Sequence, residues 1–183
     1  AAIGSWYAVE TGYFSNDRTS RREWNEMERL KTKGKPNKVY EADFSKEKIG
    51  TGQTTEGRWT YYNEAEDDTV KIEGGSLVLN YTEPWVGSEF IHMGFEPGGV
   101  YRVTIEAKVE EEPAAILMRN RQLDLMREQI PVSNDAFKNH TYHYVAPGGR
   151  LDRVRIIFIP DNRSKGLKGK MTVRKFVIEL LKG

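Results

Sequence analysis

Gly98-Gly99-Val100-Tyr101-Arg102-Val103-Thr104-Ile105-Glu106-Ala107-Lys108-Val109 decides the fold. From Tyr101 to Val109 the residues alternate without error. Tyr101, Val103, Ile105, Ala107 and Val109 fall on one face, and Arg102, Thr104, Glu106 and Lys108 fall on the other. A side-chain period of two is a strand with one dry and one wet face, the normal condition of an antiparallel sheet. The pattern predicts Tyr101, Val103, Ile105 and Val109 buried, with Arg102, Glu106 and Lys108 exposed or beside polar neighbours. Pro97-Gly98-Gly99 supplies the turn before the strand.

Short strands of the same kind recur along the chain. They are read at Lys38–Phe44, Trp59–Tyr62, Thr69–Ile72, Leu77–Tyr81, Glu89–Phe95, Tyr142–Val145, Val154–Ile159 and Met171–Leu181. Gly74-Gly75 marks a hairpin between the third and fourth of these. Ala114-Ala115-Ile116-Leu117-Met118 is apolar at every position, which predicts burial on both sides, and Leu123–Met126 can pair with it across Asn120-Arg121. The last segment carries a phase break: Met171 and Val173 share one face, whereas Phe176, Ile178 and Leu180 are one residue out of step. A bulge near Arg174-Lys175 reconciles them. No long helix separates the strands, so the fold class is all-β, a jelly-roll β-sandwich.

Residues 1–38 read differently, as a partly helical N-terminal arm ahead of a sandwich spanning 39–183. Ser20-Arg21-Arg22-Glu23 fits a capping box, and a short helix through Lys31 would be stopped by Gly34 and Pro36. Its apolar stripe is narrow (Trp24, Met27, Leu30) and needs a surface to lie on. The arm is too rich in aromatic residues for a flexible linker. Trp6, Tyr7, Tyr13, Phe14 and Trp24, with Met27 and Leu30, are therefore read as anchors. They dock either on the chain's own sandwich or on a neighbouring subunit.

Composition sets limits. Lys plus Arg (28) nearly balances Asp plus Glu (27), which gives no sign of nucleic-acid binding. No apolar run approaches the ~20 residues of a bilayer span. Cysteine is absent, which excludes disulfides, thiolate metal sites and a cysteine nucleophile. No nucleophile elbow, phosphate-binding loop or His-Glu-x-x-His occurs. His140 and His143 fall on opposite faces of a strand, poor geometry for a shared metal. The reading is therefore non-catalytic, with no cofactor and no metal.

Gly57-x-Trp59, Gly75-x-Leu77-x-Leu79, Pro97-Gly98-x-x-Tyr101-x-Val103-x-Ile105-x-Ala107-Lys108 and Val173-x-x-Phe176-Val177-Ile178 together resemble carbohydrate-binding modules of the xylan- and cellulose-binding type, families four and nine. The likeness spans about residues 39–182 and rests mostly on core and turn positions. It implies a jelly roll and sugar binding by aromatic rings stacked on pyranose faces. The available rings are Trp59, Tyr61, Tyr62, Trp85, Tyr142 and Tyr144. Trp85, in the loop Thr82–Gly87, is the one best placed to be exposed. Many relatives hold calcium between an early acid and a late Asp. Here Glu41 and Asp43 supply the early acids, but Arg174-Lys175 occupies the late position and would repel the ion. Similar sandwiches also decorate assemblies such as phage capsids. Because of the arm, the expectation is a virion or extracellular-surface subunit whose partners are protein subunits of an assembly; the alternative is a module that binds a plant or microbial polysaccharide.

Overall fold

A computed structural model describes residues 21–49, 59–92, 95–120, 123–146, 154–161 and 167–183. Among the described residues, helix α1 (Arg21–Lys33) precedes the strands β1 (Lys35–Glu41), β2 (Trp59–Tyr62), β3 (Val70–Glu73), β4 (Ser76–Asn80), β5 (Gly87–His92), β6 (Val100–Glu110), β7 (Ala114–Asn120), β8 (Leu123–Ile130), β9 (Lys138–Val145), β10 (Val154–Pro160) and β11 (Lys170–Lys182). All pairings are antiparallel, in two sheets. The first runs β3-β4-β11-β6-β9, with β1 also on β11, and the second runs β2-β5-β10-β7-β8.

The deciding strand behaves as its alternation requires. Tyr101, Val103, Ile105, Ala107 and Val109 have no exposed surface, while Arg102, Thr104, Glu106 and Lys108 are partly exposed. Arg102 meets Glu179 of β11 at 3.0 Å. The phase break in β11 is a bulge: pairing with β6 shifts between Val173 and Lys175, so Met171, Val173, Phe176, Ile178 and Leu180 all enter the core. Gly74 and Gly75 both have positive φ (59° and 76°), the left-handed pair that a two-residue hairpin demands. Gly98 (φ 76°) follows Pro97 in a turn closed by the Gly99 amide on the Glu96 carbonyl at 2.9 Å.

Trp59 is the hub of the core. Its ring lies parallel to Phe158 at 5.7 Å between centroids and edge-on to Phe176 at 5.1 Å, with Phe90 at 5.1 Å and Phe44 at 5.7 Å. A second group stacks Tyr101 on Tyr144 at 5.4 Å with Phe95 edge-on to both.

Several boundaries differ from the sequence reading: β5 begins at Gly87 rather than Glu89, β8 runs on to Ile130 rather than Met126, and β9 begins at Lys138 rather than Tyr142. The helix continues to Lys33, and the first strand begins at Lys35 rather than near Lys38. β1 is exposed along nearly its whole length and is held by backbone pairing with Val177–Lys182, so it carries no alternation that a sequence could display. Ser20 and the anchors Trp6, Tyr7, Tyr13 and Phe14 lie outside the described residues.

Helix α1 lies on the outer face of the first sheet. There Leu181, Val100 and Val145 form one cross-strand row, and all three are buried. Met27 (0% exposed) and Leu30 (5%) cover that end of the sheet. Two of the arm's expected assembly anchors are thus consumed inside their own domain. Among the described residues no helix is long and apolar enough to cross a membrane.

Met27→Ala should lower the unfolding free energy by about 2–5 kcal/mol in chemical denaturation, the usual range for emptying a buried Met site. A pH effect is expected at the same contact. His143 lies under the helix in a cleft with Trp24, Glu28, Lys31, Glu128 and Tyr142. Burial, then the cations of Lys31 and Arg102, push its imidazole from 6.5 to about 4, with Glu28 opposing. The unfolded chain therefore binds a proton that the native state refuses, and stability falls as pH drops from about 6.5 towards 4. Glu128, whose carboxyl is raised by burial, works in the opposite direction, so the comparison must be with a variant. Between pH 7 and 5 the wild-type Tm should fall by about 2–4 °C more than that of His143→Gln, equivalent to roughly 1 kcal/mol after solvent screening.

Candidate functional site

The outer face of the second sheet is built by strands that are apolar on both sides. In β10, Val154, Ile156 and Phe158 face the core, which leaves Ile157 and Ile159 outward. In β7, Ala114, Ile116 and Met118 face the core, which leaves Ala115 and Leu117 outward. These four outward residues are at most 1% exposed and cluster with Tyr62. Trp85 packs against them from the loop before β5. An antiparallel sheet usually wets its outer face. Here that face has an apolar floor roofed by long side chains.

The roof is polar at its outer edge. Arg119 donates to the Tyr62 hydroxyl at 3.2 Å. Arg155 donates to Glu89 at 3.3 Å. Burial raises the Glu89 carboxyl, and Arg155 offsets part of that rise. Arg127 donates to Asp161 at 3.0 Å, and Gln129 donates to the other Asp161 oxygen at 2.9 Å. The Arg127 guanidinium also stands 5.4 Å from the Trp85 ring centroid, a cation–π contact. Gly87 permits close approach beside Tyr62, because a Cβ there would lie 1.9 Å from the Phe158 carbonyl oxygen.

Trp85 is held in an unfavourable backbone state. Its φ is 65°, in the left-handed region that a bulky L-residue enters only at a cost. Its carbonyl accepts from the Asn63 side chain, which sits on a turn residue that is itself left-handed (φ 57°). Such a conformation persists only where its surroundings hold it, here the apolar floor, the Asn63 side chain and the Arg127 guanidinium.

Of the six rings expected at a ligand surface, this face collects two. Tyr62, 8% exposed, forms part of the floor, and Trp85 is the partly exposed ring above it. Trp59 and Tyr144 have no exposed surface and belong to the core. Tyr61 points to the inner side of β2, with its hydroxyl on Asp67. Tyr142 lines the helix cleft, and its hydroxyl donates to the Gln129 carbonyl at 3.3 Å. Asn63, Glu89, Arg119, Arg127, Arg155 and Asp161 were not singled out by the sequence reading. The signal for Arg119 and Arg155 was present, since each adjoins a run that is apolar on both faces. Asn63 and Asp161 reach the site only through tertiary contacts.

The early acids of the expected calcium position are engaged locally. Glu41 pairs with Lys38 at 2.8 Å, and Asp43 accepts from the Ser45 amide at 3.1 Å. Arg174, on the bulge, pairs with Glu106 and stands over Phe137.

No sequence-family profile matches the chain, and no curated protein does either. Solved structures do share the fold. A family 4 carbohydrate-binding module superposes with a TM-score of 0.59 at 13% identity, covering 74% of this chain and 95% of that one. A sugar-binding protein from Bacteroides thetaiotaomicron VPI-5482 gives 0.60 at 10% identity, covering 79% and 100%. The first family 22 module, a xylan-binding domain, of Paenibacillus barcinonensis Xyn10C gives 0.51 at 16%, covering 82% and 97%. The chain has the sandwich fold of carbohydrate-binding modules.

If Trp85 is strained as described, replacing it by Gly should leave the protein more stable than replacing it by Ala. The expected difference in urea denaturation is about 1 kcal/mol, because only Gly enters the left-handed region freely.

Proposed function

We infer that this protein is a non-catalytic carbohydrate-binding module that holds a polysaccharide chain on the outer face of its second sheet. The observation that carries the reading is Trp85. Its ring is fixed over an apolar floor by a left-handed backbone, the Asn63 clamp and the Arg127 guanidinium. Sugar recognition needs a rigid aromatic platform for the apolar face of a pyranose and polar groups around it for the hydroxyls. The Tyr62 hydroxyl, Arg119, Arg127, Gln129, Glu89 and Asp161 provide such a rim. A platform held in place before binding saves the cost of ordering it on binding.

The structural likenesses point the same way at the level of fold, including a protein described as sugar-binding and a xylan-binding domain. They lend no support to a virion-decoration role. The helix that suggested docking to a neighbour is engaged with its own sandwich through Met27 and Leu30.

Affinity electrophoresis in gels containing soluble xylan, β-glucan, galactomannan or pectin tests the reading. The wild type should be retarded by at least one of them. Trp85→Ala should weaken binding at least about tenfold, equivalent to roughly 1.4 kcal/mol. Tyr62→Phe, which keeps the ring and loses the Arg119 contact, should weaken it less. Wild-type mobility unchanged in every gel would refute the reading.

A further inference from the structure

Trp85 sets how much of a glycan this face can grip, an inference that rests on the saccharide-binding reading above. Stacking on a sugar needs exposed ring or apolar surface. The floor offers none, since Ala115, Leu117, Ile157 and Ile159 are at most 1% exposed. Tyr62 is 8% exposed, and its hydroxyl accepts from Arg119. Among the described residues, Trp85 is therefore the one ring of this face with partial exposure. The sequence between β1 and β11 that lies outside the described residues contains no Phe, Trp or Tyr. A chain gripped along its length needs a second stacking surface, and the described part of this face holds none. Polar contacts gather at the same point. The Arg127 guanidinium stands 5.4 Å from the Trp85 ring centroid and donates to Asp161 at 3.0 Å. Gln129 donates to the other Asp161 oxygen at 2.9 Å, and the Asp161 amide donates to the Pro113 carbonyl at 2.9 Å. The carboxylate is thus held by side chains and by its own backbone. These bonds use two of its about four acceptor sites. A pyranose lying on the indole presents neighbouring hydroxyls at its rim, one to donate to Asp161 and one to accept from Arg127.

We propose that the face recognises one sugar residue at a time, stacked on Trp85 and read at its hydroxyls by the Arg127–Asp161 pair, whatever length of chain carries that residue. Gln129 and the Asp161 backbone fix the pair before the sugar arrives. The rest of the polysaccharide lies beyond the site and adds little to binding.

Isothermal titration of the whole protein with the dimer and the hexamer of xylose, of glucose, of mannose and of galacturonic acid tests this alongside the gels. In any series that binds, the hexamer should bind at most about fivefold more tightly than its dimer, near the statistical advantage of six residues over two. Asp161→Asn should weaken dimer and hexamer by the same factor, about tenfold, and leave their ratio unchanged. Arg127→Lys, which keeps the charge and loses the fork, should weaken both equally and gives a second measurement if the Asn variant fails to fold. Four results would overturn the proposal and leave the saccharide reading standing. They are a hexamer bound more than about fivefold more tightly than its dimer, retention in a gel whose backbone dimer does not bind, affinities unchanged by Asp161→Asn, and a loss in that variant confined to the hexamer. If no oligomer binds and no gel retards the protein, the saccharide reading falls and takes this proposal with it.

Discussion

Strands β7 and β10 are apolar on both faces, and everything on the functional side of the molecule follows from that constraint. Their inner residues meet the aromatic hub around Trp59, which any sandwich supplies. Their outer residues, Ala115, Leu117, Ile157 and Ile159, have no second sheet to cover them. The chain solves this with amphipathic side chains whose stems and rings lie on the floor and whose polar ends reach water. Arg119, Arg127, Tyr62 and Trp85 do both jobs at once. Covering the floor therefore creates a surface of rings and guanidiniums.

The first sheet meets a smaller version of the same problem and solves it differently. Its outer face is mostly polar, but the row Leu181, Val100 and Val145 is apolar, and helix α1 lies across it. Helix α1 is in this respect part of the sandwich. One outer face carries a helix, and among the described residues the other is covered by side chains such as Trp85.

The architecture was legible wherever burial is one-sided. The alternation of β6, the Gly74-Gly75 hairpin, the turn at Pro97-Gly98 and the bulge in β11 all follow from local rules, because period and turn chemistry are written residue by residue. β1 was placed too late, at Lys38–Phe44 instead of Lys35–Glu41, since a strand held by its backbone alone leaves no side-chain period. The site was legible only in part. Trp85 was singled out for its loop position, and Tyr62 was one of six rings that sequence could not sort. Sorting them requires knowing which face of β2 or β9 is inward, and Trp59 and Tyr144 proved to be core. The arginines of the face lie on three strands, β7, β8 and β10. Their partners Glu89 and Asp161 come from β5 and from the turn after β10, so only the folded sheet brings them together.

The central claim is that ligand contact is made through Trp85 on the outer face of the second sheet. Indole N–H resonances of the protein, assigned by single Trp→Phe variants and followed during titration with a bound oligosaccharide, test it residue by residue. The account predicts a saturable shift at Trp85, with Trp59 in the core and Trp24 in the helix cleft essentially still. A saturable shift at Trp24 with Trp85 unmoved would contradict it.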